Sequence, residues 1–62
     1  MNFIIKENGL YFSKNNIELQ LICDEHNIPY YFDNELQHYY IESDNVFRVL
    51  VIVSNMHNIS II

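Results

Sequence analysis

The sequence predicts an α+β fold: a single small antiparallel sheet with one helix on one face, in the order ββαβββ. Three observations carry that expectation. An Asn-Gly dipeptide joins two short apolar runs near the start. Apolar residues recur at helical spacing around residues 16–26. Most of the remainder is rich in Tyr, Val and Ile, side chains that suit a pleated sheet. At 62 residues the chain makes one domain, 1–62.

The first two strands form a hairpin. Phe3–Glu7 and Leu10–Lys14 flank Asn8-Gly9. Asn-Gly is the strongest short-range hairpin signal, because a type I′ turn needs positive φ at both central residues. A two-residue loop pairs Ile5 with Phe12 and Glu7 with Leu10. Phe3, Ile5, Leu10 and Phe12 then share a core face, and Ile4, Lys6, Tyr11 and Ser13 share the other.

A helix over 16–26 follows. Asn15 caps it, with Glu18 three residues on as the return partner of a capping box. Asn27 and Pro29 end it, since a residue before proline is pushed towards extended backbone. Leu19, Ile22, Cys23 and His26 make one stripe on the helix. Ile17 and Leu21 make a second, and a helix lying on a single sheet needs only the first.

Three strands complete the pattern. Tyr30–Phe32 is short and aromatic, and Asp33-Asn34-Glu35 reads as a turn. Leu36–Glu42 comes next, then a turn at Ser43-Asp44-Asn45. Val46–Val53 is β-branched and reads as the most buried strand. A two-residue loop at Asp44-Asn45 puts His38, Tyr40, Val49 and Val51 on one face, with Leu36, Phe47 and Val53. Tyr39, Ile41, Leu50 and Ile52 fall on the opposite face, beside Ile4 and Tyr11. The end of the chain, Asn55–Ile62, is expected to form a short edge strand.

Composition narrows the function. Half of the residues are hydrophobic, which excludes a disordered chain. Eight carboxylates face three Lys and Arg, for a formal net charge of -5. That balance opposes nucleic-acid binding, which needs a basic patch, and suits a cationic partner or plain solubility. The longest apolar run, Val49–Val53, is far too short to span a membrane, so no membrane association is expected. Met1–Lys6 lacks the basic lead and long apolar core of a signal peptide. The single cysteine, Cys23, cannot form an intrachain disulfide and fits a reducing cytoplasm, a host's cytoplasm if the origin is viral. Asn, Ile, Tyr and Phe are abundant while Ala, Thr and Trp are absent. Such usage is typical of AT-rich genomes, including those of viruses and mobile elements.

Motifs for chemistry are sparse. Cys23 and His26 have C-x-x-H spacing and with His38 or His57 could make a zinc set. There is no second cysteine, however, and both residues lie on the core stripe, where Cys behaves as a small hydrophobe. No metal and no cofactor are expected. No P-loop or dinucleotide fingerprint is present, and nothing around Cys23 resembles an activated nucleophile. No catalytic residue and no enzymatic activity are expected.

What remains is surface. A chain this short buries only about 60% of the area its unfolded form exposes. One helix hides one face of a sheet. Ile17, Leu21, Tyr31, Tyr39, Ile41, Leu50 and Ile52 are left as the expected protein-interaction surface. The expected function is a small acidic protein-binding module, as a homodimer or bound to a host protein, acting as a regulator or inhibitor. The alternative is a nucleic-acid-binding regulator, or an acidic mimic of nucleic acid. Tyr30, Tyr31, Tyr39 and Tyr40 cluster and could stack bases, but only Arg48 stands nearby to meet phosphate.

Overall fold

The computed structural model describes residues 2–57. Its elements are β1 (Ile4–Lys6), β2 (Gly9–Ser13), α1 (Ile17–Glu25), β3 (Tyr31–Asp33), β4 (His38–Glu42) and α2 (Ser43–His57). The strands form one antiparallel sheet in the order β1-β2-β4-β3. The α+β class and the antiparallel sheet agree with the sequence reading. The sixth element does not: it is a second helix, so two helices rather than one pack on the sheet.

The hairpin forms with a different register. Ile5 pairs with Leu10 and Lys6 with Gly9, so Glu7 and Asn8 make the turn. Among described non-glycine residues, positive φ occurs at Asn27 and Gln37, so Asn8 does not adopt a type I′ conformation. Gly9 instead serves the sheet. A Cβ there would run into the Ile41 carbonyl oxygen and sit 3.2 Å from its carbon. The slip is two residues, an even number, so the strand faces are unchanged. Leu10 and Phe12 are buried, with Phe3 packed against them, and Ile5 is exposed on that same face.

The cap of the first helix lies one residue later than expected. Asn16 is the N-cap: its Oδ1 accepts from the Leu19 N–H at 3.1 Å, and its Nδ2 donates to the Asn2 carbonyl at 2.9 Å. One side chain therefore caps the helix and ties down the chain entering β1. At the other end Asn27 takes φ 56° and the Ile28 N–H donates back to the Cys23 carbonyl at 2.9 Å. This six-residue closure is a Schellman motif, and its apolar contact is supplied by Ile28 with Cys23 and Ile22, all in the core. Leu19, Ile22 and Cys23 are buried as their spacing predicts, whereas His26 is exposed.

Val46–Val53, expected as a buried strand, lies within α2. Val46, Val49, Leu50 and Val53 fall at i, i+3, i+4 and i+7, the spacing of a helix face. Val49 and Val53 are buried, and Val46, Leu50 and Ile52 pack against the same cluster. The β-branched content disfavours a helix by only a few tenths of a kcal/mol per residue, and burial of one continuous stripe outweighs that. Asp44 in the first turn is also well placed against the positive end of the helix dipole. Ser43-Asp44-Asn45 is accordingly the first turn of α2 rather than a hairpin loop. Residues 55–57 continue α2, and the remainder of the expected edge strand lies outside the described residues.

The two helices are pinned to each other. Arg48 on α2 donates from Nη2 to the His26 carbonyl at the end of α1, 2.9 Å away. A guanidinium there satisfies an orphan carbonyl and meets the negative end of the helix dipole. Leu10, Phe12 and Ile41 from the sheet complete one core with both helices. No helix among the described residues is long and apolar enough to cross a membrane.

A tyrosine row on the helix-free sheet face

The register assigns every strand residue to a face. Leu10 lies opposite Ile41 and Phe12 opposite Tyr39, which itself lies opposite Phe32. These residues point toward the helices. Ile41 is fully buried, so the expectation that Tyr39 and Ile41 lie on the open face is corrected. That expectation relied on pairing β4 with 46–53. Once that segment is helical, β4 pairs with β2 and β3, and Ile41 is drawn against Leu10.

Tyr39 is the hub of an aromatic cluster on the covered side. Its ring centroid lies 5.2 Å from those of Tyr30 and Phe32, both edge-on, and 5.7 Å from that of Phe12. The Tyr30 hydroxyl donates to Asp24 Oδ1 at 3.3 Å. Burial, then the Asp24 carboxylate, raise its pKa, so it stays a neutral donor.

The opposite face, which no helix among the described residues covers, carries the candidate site. Ile4, Tyr11, Tyr40 and Tyr31 lie directly opposite one another across β1, β2, β4 and β3. The Tyr11 and Tyr40 rings stack, with centroids 5.4 Å apart and planes at 27°. Tyr40 and Tyr31 are 5.5 Å apart at 40°. Each contact is an adjacent cross-strand pair, the unit that stabilises a sheet. Tyr11, in the middle, is almost fully buried by its neighbours, while Ile4 and Tyr31 at the ends are 58% and 43% exposed.

Charged groups flank the row at both ends. The Lys6 ammonium lies 5.1 Å from the Tyr11 ring centroid. Toward the far end Glu42 lies two residues along β4 from Tyr40 on the same face, and its carboxylate is the main cause of the raised Tyr31 pKa. Asp33 and His38 sit opposite each other on the same face. Asp33 Oδ1 accepts from the Glu35 and Leu36 N–H groups, closing the turn. His38 Nδ1 lies 2.7 Å from the Leu36 carbonyl. A carbonyl can only accept, so that nitrogen carries the proton.

Of the residues expected to bind protein, Tyr31 is therefore in the row, and Tyr39 and Ile41 are behind it. Leu50 and Ile52 are half-buried on α2. Ile17 and Leu21 remain exposed on the solvent side of α1, apart from the row. Tyr40, grouped by the sequence with the other tyrosines but placed on the face of Val49, lies in the row, beside Tyr11 and Ile4, which the sequence marks only as neighbours of the second face. Phe47, expected on the same face as Val49 and Val51, is instead 68% exposed on α2, beside Val51 and Arg48 along a shallow depression.

Among the described residues, the sulfur and imidazole chemistry is not gathered into a site. Cys23 is buried, and burial first, then Asp24, push its thiol up to about 11. That is the reverse of an activated nucleophile, whose pKa is lowered. Among the described residues, no group of three or more His, Cys, Asp or Glu side chains could hold a metal ion. The fold and the row together define a small α+β domain with two helices on one sheet face and an aromatic strip on the other. No family model, curated protein or solved structure matches the chain.

Proposed function

We propose that this chain is a small protein-binding module that presents the helix-free face of its sheet to a protein partner and regulates or inhibits that partner by occupying it. The observation that carries the reading is the row Ile4–Tyr11–Tyr40–Tyr31, which crosses all four strands. Tyrosine is enriched at protein interfaces because it offers a rigid apolar ring with a hydrogen-bonding tip. Here the rings brace one another, so little side-chain freedom is left to lose on binding.

Binding without catalysis is supported by the inert, buried thiol of Cys23. A single unpaired cysteine supports a reducing cytoplasm as the place of action. An inhibitor or regulator of viral or mobile-element origin is the most concrete form of this reading, and the Asn-, Ile- and Tyr-rich composition is what supports it. Self-association through the same face is the competing form of protein binding.

The test is differential capture. Tagged wild type, the double variant Tyr31→Ser/Tyr40→Ser and the control Ile17→Ser/Leu21→Ser are first checked for native circular dichroism. Each is then used to capture protein from its source lysate, and captured candidates are purified and re-tested. A partner retained by the wild type and the control, and lost by the tyrosine variant, is the expected result. A partner lost only by the α1 control would place the interface on the wrong surface.

A further inference from the structure

The chemistry of the partner can be taken one step further, and this step rests on the binding role just proposed for the sheet face. The row is electrostatically divided. Toward the Ile4 end, Tyr11 already carries a cation, the ammonium of Lys6. Toward the other end, Tyr40 and Tyr31 present a tilted pair of rings, with exposed Glu42 two residues along β4 from Tyr40 on the same face. A ring face attracts a cation, and a carboxylate accepts several hydrogen bonds.

We propose that the Tyr40–Tyr31 end of the row receives an arginine from a basic segment of the partner protein, its guanidinium lying over the rings and pairing with Glu42. Arginine fits better than lysine, because its planar group both stacks on an aromatic ring and bonds a carboxylate through two N–H groups. The charge of the whole chain points the same way. A net charge of -5 attracts a basic segment, whereas a second copy would bring two like-charged chains together. A second copy also has few cations to offer. Of Lys6, Lys14 and Arg48, Lys6 lies over Tyr11 and Arg48 is bonded to the His26 carbonyl. Phosphate would meet Glu42 and Asp33 on this face, which disfavours nucleic acid.

The experiment measures fluorescence anisotropy of a labelled octa-arginine peptide titrated with the full chain. Octa-lysine and an oligothymidine serve as comparison probes. Glu42→Gln and Glu25→Gln change the net charge equally, but Glu25 lies on α1. Glu42→Gln should weaken octa-arginine binding about two- to fivefold, and Tyr31→Leu by a similar factor. Glu25→Gln should change it by less, and octa-lysine should bind more weakly than octa-arginine. Equal losses for the two glutamate variants would mean diffuse attraction and overturn the proposal. So would tighter binding of oligothymidine, or a sedimenting dimer that the Tyr31→Ser/Tyr40→Ser variant dissolves. If octa-arginine ignores the row while that double variant still loses its protein partner, the basic-segment proposal falls and the binding face stands. If the double variant keeps its partner as well, both fall.

Discussion

Replacing Ile41 by alanine tests which side of β4 faces the core. Ile41 is fully buried, opposite Leu10 and in one cluster with Val49 of α2. The substitution removes three buried carbons, about 2.4 kcal/mol at roughly 0.8 kcal/mol each. A cavity beneath α2 adds to that, and about 3 kcal/mol is expected in all, within the usual range of about 2–5 for such truncations. A domain of 62 residues has only about 3–9 kcal/mol of stability. Ile41→Ala should therefore remove a third or more of it and leave a visibly unfolded fraction at moderate urea. Ile17→Ala is the matched control, because Ile17 is 59% exposed on α1. There the change should stay within about 0.5 kcal/mol, or stabilise slightly through the higher helix propensity of alanine. Urea melts followed by circular dichroism give both values. Similar small costs for the two variants would refute the assignment of Ile41 to the core face.

Three further outcomes follow from local geometry. Gly9→Ala should destabilise the fold by about 1–3 kcal/mol in the same urea assay, because its Cβ meets β4 backbone rather than a movable side chain; a neutral result would show that the strands do not approach so closely. Asn27→Gly should raise the thermal midpoint and Asn27→Val lower it, since residue 27 holds positive φ at the end of α1; the opposite order would argue against the Schellman closure. Cys23 should react with maleimide far more slowly in the folded chain than in urea, its thiol being pushed up to about 11. The folded state favours the protonated thiol, so this contribution to stability is complete below the ordinary thiol range and is lost as the pH rises towards about 11. The raised pKa values of Tyr30 and Tyr31 act with the same sign. Urea midpoints that rise over that alkaline window would contradict the assignment.

How much of this was legible in the sequence differed from element to element. The hairpin faces were legible because alternation groups Phe3, Leu10 and Phe12 on one side, opposite Lys6 and Ser13, and an even register slip leaves that grouping intact. The first helix was legible because its ends carry polar caps and Asn27 marks its stop. The last element was misread for a physical reason. In Val46–Val53 nearly every residue is apolar, so the helical stripe Val46–Val49–Leu50–Val53 is hidden within a run that also looks like a buried strand. That one substitution of helix for strand turned β4 over. In Tyr39-Tyr40-Ile41 apolar residues point both ways, so alternation alone cannot say which side is buried. The tyrosines were visible as candidates, but their division into a covered pair, Tyr30 and Tyr39, and an open row, Tyr11, Tyr40 and Tyr31, depends on the pairing of β4 with β2 and β3.

The proposed seat of a basic protein segment is the helix-free face, through its tyrosine row. The most direct measurement is an NMR titration of the isotope-labelled chain with octa-arginine, following amide and aromatic-ring resonances. The largest shifts are expected at Tyr31, Tyr40 and Glu42, with smaller ones at Tyr11 and Ile4, and little change at Ile17, Leu21, Asp24 and Glu25. Shifts centred on the α1 carboxylates, with the Tyr31 and Tyr40 rings unmoved, would contradict the proposal.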